Sequence, residues 1–486
     1  MQCGLGQKAG KPNEWMREAN EWTPSFVAQR NQSTGSSCQR GTPCRPASAT
    51  TGRFDLDAMS SALYRCLPAS HCFLPWWCSM KCSRVLLLLA LVATAAGAQQ
   101  APTPWLKETF KSAKLGDDRT IYVATPANYN GTAQRYPVLV LLDANDEPQW
   151  AAAVANVAFL SNRGAIPDMI VVGVTNGKDR THDLTPTATG STAKTFPTAG
   201  GAHAFTDFIV DEVLPRVRSH YRALPSTILA GHSFGGLFAL DVAATRPGAF
   251  VGIVAMSPSL WWNDSTPARD YATAIAKLPA TTRLFATSGE LESSIDVTTK
   301  IFAARLDSIK PPSLAFAYHY YPGDSHGLTP QPSLIDGLQF VFAPIALTRS
   351  PVAALGPHPD SASIVKAIAQ TEEEYVRGAR SLGLPDKFPE LQMNNYGYGV
   401  LQAYKMPNVA VWIFRKNVQS YPDSPNVYDS LGDGLLAAGD STAARAQFRM
   451  ARDVAVRQGK PASEDTLKKL AALEHPTAVQ AGKAKP

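Results

Sequence analysis

Two serines lie in a Gly-x-Ser-x-Gly pattern, the spacing that places a nucleophilic serine on a tight turn between a strand and a helix. They are Ser233 in GHSFG and Ser325 in GDSHG. The sequence STILAGHSFGGLFALDVAATRP predicts a strand before Ser233 and a helix after it. After Ser325 comes LTPQP, and we expect its two prolines to prevent a helix. We therefore predict that Ser233 is a nucleophile and interpret Ser325 as a chance match.

A serine hydroxyl needs a neighbouring base, because it does not lose its proton unaided at neutral pH. Hydrolases with this strand-turn-helix motif carry their triad in the chain order serine, acid, histidine. His326 follows the last predicted strand, in a loop between Gly323 and Gly327. His319 lies inside that aromatic strand, where we expect a packed core residue. His326 is therefore the predicted base.

The acid of such a triad is expected after the predicted strand TRLFATSG. Three carboxylates follow it: Glu290, Glu292 and Asp296. The position three residues past Gly289 favours Glu292. Glu290 and Asp296 stay as alternatives, and each of the three would otherwise be an ordinary solvated loop charge.

An oxyanion hole needs two backbone N–H groups. The first is expected from Phe234, directly after the serine, whereas the second is expected from the loop after the predicted strand YPVLVLLD. In that loop we favour Asn145 and keep Ala144 as the alternative.

Positioning these residues requires an alternation of strands and helices, which the sequence shows from about residue 104 to residue 345. Several apolar runs, such as YPVLVLLD and DMIVVGVT, are typical of strands buried on both faces of a parallel sheet. Segments with helical spacing lie between these runs, and one of them predicts a single helix over 200–221. This pattern predicts the α/β class, with an open sheet covered by helices on both faces.

After about residue 350 the predicted strands stop and helical patterns follow. An offset of 34 residues relates Ala410 to Ala444, Phe414 to Phe448 and Asn394 to Tyr428. That is the length of a tetratricopeptide repeat, a helix-turn-helix unit. We expect a small all-α domain of such repeats, packed on the α/β domain or on itself, with a plain helical tail as the alternative.

The amino-terminal residues carry an export signature. Lys81 and Arg84 precede an apolar run that ends in Ala96-Gly97-Ala98, a small-x-small cleavage pattern. We expect a signal peptide over 80–98, a leader over 1–79 that is non-native or disordered, and a mature chain beginning near Gln99. All seven cysteines lie at or before Cys82, so the mature chain would contain none. The expected domains are then the α/β domain over 99–348 and the helical region over 349–486.

Charge and motifs exclude several function classes for the mature chain. The net charge is +6, but residues 1–84 carry ten Lys or Arg against five Asp or Glu, which leaves +1 for the rest. Nucleic-acid binding therefore has no electrostatic support. With neither a phosphate loop nor metal-ligand spacing in the mature chain, we expect no cofactor and no metal. The apolar run is too short for a membrane anchor.

Six motifs in chain order resemble the putative esterase family of α/β-hydrolases: YPVLVLLDAND, RTHDLTP, GHSFGGLFAL, MSPSLWW, SGELES and PGDSHG. This family includes siderophore (enterobactin-type) esterases, S-formylglutathione hydrolases, feruloyl esterases and mycolyltransferases. The resemblance covers about residues 104–345 and implies Ser233 as nucleophile, His326 as base, Glu292 as acid and Asn145 as oxyanion donor. Some siderophore esterases of the family work with a serine and histidine dyad, which leaves the acid open. Trp261 and Trp262 resemble a wall at the mouth of the site, with core packing as the alternative.

The resulting hypothesis is an exported, periplasmic or secreted serine esterase. It would cleave small-molecule esters through an acyl-enzyme on Ser233, and the repeats would offer a surface to a protein partner. A serine peptidase and an acyltransferase of the same fold are the alternatives within enzymes. A repeat-based binding scaffold with an idle hydrolase domain is the alternative from a different class.

Overall fold

The structure is a computed structural model, and it describes residues 105–131, 134–278, 282–312 and 314–474. The predicted leader and signal peptide lie outside the described residues. The described residues form one sheet of eight strands. These are β1 (Leu106–Lys111), β2 (Asp118–Ala124), β3 (Tyr136–Leu141), β4 (Ile170–Val174), β5 (Ala223–His232), β6 (Gly252–Met256), β7 (Arg283–Gly289) and β8 (Ala315–Tyr321).

The strand order is β1-β2-β4-β3-β5-β6-β7-β8, with β1 and β2 antiparallel to their neighbours and the remaining strands parallel. Every residue of β3, β4 and β6 is buried. Such strands lie in the middle of a sheet that is covered on both faces. The predicted α/β class, with its open and mostly parallel sheet, is confirmed.

Helices cover both faces of the sheet and continue beyond it. They are α1 (Glu147–Asn162), α2 (Arg180–Leu184), α3 (Gly190–Thr195), α4 (Ala202–Phe208), α5 (Leu214–His220), α6 (Phe234–Thr245), α7 (Trp262–Ile275), α8 (Ser294–Ile309), α9 (Pro330–Phe342), α10 (Ser361–Ser381), α11 (Glu390–Ala403), α12 (Pro407–Ser420), α13 (Pro425–Ala437), α14 (Ser441–Arg457) and α15 (Glu464–Glu474). One apolar core contains side chains of α1 and α9. A second core contains side chains of α4 to α8.

Two local expectations were wrong, one strand was missed, and one predicted helix contains an irregular turn. The antiparallel strand β1 was not predicted at all. The helix expected over 200–221 is present over 202–220, as α4, a π-helical turn over Ile209–Val213 and α5, whose first turn contains Pro215. His319 is exposed rather than packed, because β8 lies at the edge of the sheet. A helix does follow Ser325, since α9 begins at Pro330, and proline is favourable at the first position of a helix.

The helical region consists of antiparallel neighbours with a repeated internal contact. A Cβ added at Gly397 of α11 would lie 2.3 Å from the ring of Phe414 in α12, and one added at Gly432 of α13 would lie 2.5 Å from the ring of Phe448 in α14. The same close approach of ring to backbone therefore occurs twice. The all-α nature of this region is confirmed, and its assignment to tetratricopeptide repeats stays a prediction.

The helical region packs on the α/β domain. The Ser226 hydroxyl, at the start of the buried part of β5, donates a hydrogen bond of 2.7 Å to the Leu382 carbonyl just after α10. Gly378 lets α10 approach so closely that an added Cβ would lie 2.1 Å from the Pro344 carbonyl oxygen. Within the described ranges, no helix has the length and apolar character needed to span a bilayer.

Candidate active site

Ser233 occupies a strained turn between β5 and α6. Its φ of 61° and ψ of −116° lie in a region that a residue with a side chain rarely adopts. The turn closes so tightly that a Cβ added at Gly231 would lie 2.4 Å from the carbonyl oxygen of Gly235. The glycine at position 231 therefore permits the turn. The half-buried serine is presented at the carboxyl end of a central strand, directly before the amino end of a helix.

The Ser233 hydroxyl is paired with Ser259, and sequence reasoning missed this partner. The two hydroxyl oxygens lie 3.3 Å apart, and Ser259 is 1% exposed. Ser259 comes from the segment after β6, where its own N–H donates to the Ser233 carbonyl. In this structure the hydrogen bond of the Ser233 hydroxyl is thus with Ser259 and not with His326.

His326 and Glu292 are brought together from two loops at the carboxyl end of the sheet. Nδ1 of His326 donates to Oε1 of Glu292 at 2.8 Å, since a carboxylate only accepts. The Glu292 side chain is fully buried, and it also accepts from the Gly289 N–H at 2.5 Å and from the Thr329 hydroxyl at 3.3 Å. Burial raises the pKa of Glu292, but these bonds to His326 and Gly289 outweigh it, so the pKa is lowered. Glu292 is therefore an anion at neutral pH.

The other two candidate acids lie elsewhere. Glu290 accepts from the Gly323 N–H at 2.8 Å, and its side chain is exposed. Asp296 accepts from the Ser288 hydroxyl at 2.8 Å and pairs with Lys300 at 2.7 Å. Of the three carboxylates after β7, the structure thus places Glu292 at the His326 ring.

The backbone donors distinguish the two candidates for the second oxyanion contact. The N–H of Ala144 donates to the Val174 carbonyl at 3.2 Å, so it is already occupied. Within the part of the chain that the structure describes, the N–H groups of Asn145 and Phe234 have no hydrogen-bond partner. The geometry therefore favours Asn145 over Ala144, with Phe234 as the other donor.

His232, directly before the serine, has a half-buried ring that lies against His326, with ring centroids 4.3 Å apart. Burial, together with the neighbouring His326, lowers the pKa of His232 to about 4, so it is neutral at pH 7. Its Nε2 has no hydrogen-bond partner among the described residues. The ligand atoms of His232, Glu292 and His326 lie within 4.8 Å of one another. These are the described residues that suit a metal ion by type and spacing, although Glu292 and His326 are already bonded to each other.

The two predicted substrate-binding tryptophans differ in position. Trp262 is 0% exposed and lies in the core, as the core-packing alternative expects, so its side chain offers a substrate no surface. Trp261 is half-buried, with its ring 6.0 Å from Phe234. Phe196 lies 5.9 Å from Trp261 and 5.7 Å from Phe234, which completes an aromatic group beside Ser233. Sequence reasoning missed Phe196 because its loop carries no periodic pattern.

Residues 112–326 match the model of the family described as "Putative esterase". These residues are similar to that family, and we call them the esterase-like segment. The esterase-like segment contains the whole strand-turn-helix motif around Ser233 and ends at His326.

Two curated relatives are siderophore esterases. The chain is 30% identical over 185 residues to the siderophore triacetylfusarinine C esterase of Aspergillus fumigatus, covering 33% of this chain and 58% of the relative. It is 32% identical over 188 residues to the ferri-bacillibactin esterase BesA of Bacillus subtilis, covering 35% of this chain and 64% of the relative. The chain thus spans about three-fifths of the length of these relatives.

Among solved structures, an IroE-like serine hydrolase from Shewanella oneidensis is similar with a TM-score of 0.53 and 24% identity. The match covers 65% of this chain and 99% of that protein. At this identity the likeness supports the α/β-hydrolase fold alone.

Proposed function

We propose that this chain is a serine esterase that hydrolyses carboxylic esters through an acyl-enzyme on Ser233. The observation that carries the proposal is the convergence of three elements. Ser233 lies on the strained turn after β5, and the Glu292–His326 pair lies on the loops after β7 and β8. Among the described residues, the N–H groups of Phe234, next to the serine, and of Asn145, in the loop after β3, have no hydrogen-bond partner. The match of residues 112–326 to the esterase family model supports the same reaction.

In the proposed reaction, Oγ of Ser233 attacks the ester carbonyl carbon while Nε2 of His326 takes the hydroxyl proton. The Glu292 carboxylate holds the opposite ring nitrogen protonated and stabilises the imidazolium that forms. This step requires the serine hydroxyl to turn from Ser259 towards His326, as catalytic hydrogen bonds commonly tighten only once substrate is bound.

The carbonyl oxygen becomes an oxyanion, which the N–H groups of Phe234 and Asn145 stabilise. The carbon–oxygen bond to the alcohol then breaks, and His326 gives its proton to the departing alkoxide. Water, deprotonated by the same histidine, attacks the acyl-enzyme and releases the acid together with free Ser233.

We propose small-molecule esters of the siderophore type as the substrate class. Both curated relatives described above are named as esterases of siderophores, and they support this choice. The half-buried aromatic side chains of Phe196, Phe234 and Trp261 beside the serine suit an apolar or aromatic portion of such a molecule. No observation favours a peptidase or an acyltransferase over this hydrolysis.

Export to the periplasm or the exterior, with the signal peptide over 80–98, remains a proposal that rests on sequence alone. The same holds for a protein partner of the helical region.

The deciding experiment is labelling by a fluorophosphonate, which forms a bond from phosphorus to an activated serine oxygen and expels fluoride. We expect one adduct, located at Ser233 by peptide mass spectrometry and lost in Ser233→Ala. Ser325→Ala is the matched control, because it removes the serine of the other Gly-x-Ser-x-Gly pattern, and it should label like the wild type. A folded wild-type chain that does not label would contradict the proposal. Ferric triacetylfusarinine C and ferri-bacillibactin would then be assayed to test the substrate class.

A further inference from the structure

The loop that carries Phe196 is closed at its base. It follows α2, contains α3 and leads into α4. The N–H groups of Gly200 and Ala202 both donate to the Thr185 carbonyl at 3.2 Å, so the two ends of the loop lie together. We call residues 186–199 the Phe196 loop. Its position over the site depends on what contacts it beyond this base.

Asn263, in the first turn of α7, contacts the backbone of the Phe196 loop with both ends of its side-chain amide. Its Oδ1 accepts from the Thr189 N–H at 2.8 Å, and its Nδ2 donates to the Thr187 carbonyl at 2.9 Å. An amide side chain offers both an acceptor and donors, so it can hold one segment at two points. Asn263 therefore fixes the loop at two residues of its first half.

The backbone at Asn263 has an uncommon conformation. Asn263, Asp264 and Ser265 have φ of 47°, 57° and 63°, so three consecutive residues lie in the left-handed region. Residues with a Cβ adopt this region at a cost, which asparagine and aspartate tolerate better than most. Such strain occurs often at functional sites, where the surrounding structure enforces it. Here the left-handed turn brings the Asn263 amide to the Phe196 loop.

The contact joins two segments that supply the aromatic group beside Ser233. Phe196 belongs to the loop, and its ring lies 5.7 Å from Phe234 and 5.9 Å from Trp261. Trp261 comes from the segment after β6, two residues before Asn263. The Asn263 amide thus ties the Phe196 side of the aromatic group to the Trp261 side.

We propose that Asn263 is a positioning residue that determines specificity, because it holds Phe196 at its distance from Trp261 and Phe234. The part of the substrate concerned is an apolar or aromatic portion of the ester. The inference rests on the proposed function, since it concerns the substrate of that same site. Because Asn263 contacts the loop and not the reacting atoms, its loss should weaken binding of that portion and leave the chemical step almost unchanged.

Asn263→Gly is the sharpest variant, because glycine adopts a positive φ without a steric penalty and removes both hydrogen bonds. Three esters are compared by titration of the released acid: methyl phenylacetate and benzyl acetate, which carry a ring on the acid or the alcohol, and methyl butyrate, which carries none. We expect kcat/KM for the better aromatic ester to fall about 5- to 50-fold, mainly through KM, as two lost hydrogen bonds permit. For methyl butyrate it should stay within about threefold of the wild type.

Two further variants separate the amide from the left-handed turn. In Asn263→Asp the carboxylate can still accept from the Thr189 N–H but cannot donate to the Thr187 carbonyl, so the loss should be intermediate. Asp264→Gly is the matched control. It changes the next residue of the same turn, whose side chain is exposed and takes no part in the contact with Thr187 and Thr189. It should leave the preference between aromatic and aliphatic esters unchanged.

Limited proteolysis tests the contact without a substrate. Lys194 is exposed and lies in the Phe196 loop, so trypsin can cut after it when the loop opens. We expect this cleavage, located by mass spectrometry, to be about 5- to 50-fold faster in Asn263→Gly, because its rate follows the population of the open loop. Asp264→Gly should be cut at the wild-type rate. A variant that had lost its whole fold would be cut at many sites, and Asn263→Asp would then carry the test.

Four results would overturn the inference. They are cleavage after Lys194 at the wild-type rate in Asn263→Gly, equal losses on aromatic and aliphatic esters in that variant, losses as large in Asp264→Gly, and a wild type that prefers methyl butyrate to both aromatic esters. Failure of the proposed function is distinguishable, because the wild type would then hydrolyse none of the esters, whereas trypsin would still report on the loop.

Discussion

Glu292 and His326 are joined by a hydrogen bond of 2.8 Å although they lie 34 residues apart in the chain. Glu292 follows β7 and His326 follows β8, and these strands are parallel neighbours. Their carboxyl ends therefore meet at one edge of the sheet, which is also the edge where β5 delivers Ser233. The shared edge explains how residues from three loops form a single site.

Replacing Glu292 by Gln should lower kcat by about 100- to 10,000-fold, because an amide neither stabilises the imidazolium nor holds the His326 tautomer. Steady-state hydrolysis of a p-nitrophenyl ester measures the loss. Glu290→Gln and Asp296→Asn are the controls and should stay within about threefold of the wild type, since both carboxylates are bonded elsewhere. Activity retained in Glu292→Gln would show instead that a serine and histidine dyad suffices.

Adding one methyl group at each glycine of the serine turn should have unequal effects. In Gly231→Ala the new Cβ would lie 2.4 Å from a backbone oxygen, which has no room to move, so the turn must open. In Gly235→Ala the nearest atom is the Asp143 Oδ2 at 3.2 Å, which can shift by a few tenths of an ångström. We expect fluorophosphonate labelling to be lost in Gly231→Ala and only slowed in Gly235→Ala. Similar labelling rates in the two variants would contradict this account of the turn.

Stability should depend on His232 in mildly acidic solution. Its pKa is about 4 in the folded chain against an ordinary value of 6.5, so between these values the unfolded chain binds the extra proton. Stability therefore falls as the pH drops from about 6.5 to 4, by up to about 3 kcal/mol from this group. His232→Gln, which has no proton to take up, should flatten that part of the curve in urea unfolding. If the free energy of unfolding falls with pH as steeply in His232→Gln as in the wild type, His232 is not the group responsible.

Packing of the helical region on the α/β domain should depend on Gly378. In Gly378→Ala the new Cβ would lie 2.1 Å from the Pro344 carbonyl oxygen, so α10 must move away, at a cost of about 1–3 kcal/mol. Gly399→Ala in α11 is the control, because no atom lies within 4 Å of its new Cβ. It should raise stability by about 0.5–1 kcal/mol, as alanine does in a helix. Calorimetric melting checks both predictions. A Gly378→Ala variant as stable as the wild type would show that the close approach of α10 to Pro344 contributes little to stability.

Much of the fold was predictable because its signals are local. A run such as the one that forms β4, apolar throughout, is typical of a strand buried on both faces, and its bounds agree with the predicted strand over 168–175 within a few residues. β1 escaped prediction because its residues are mostly exposed and only Leu106 and Phe110 of the six are apolar. α9 escaped because its prolines were interpreted as helix breakers, although at the first turn of a helix the missing N–H would have no partner anyway.

The sequence by itself determined the α/β class, the strand-turn-helix motif that holds Ser233, and a short set of candidates for its partners. These follow from residue type and spacing over a few positions, which the chain carries without reference to distant parts. Only the tertiary structure decided that Glu292 rather than Glu290 lies at His326, that Trp262 is core, and that Arg180 bonds Asp143. Each of these depends on which loops meet at the carboxyl edge of the sheet, and that is set by strand order and side-chain packing across residues far apart in the chain.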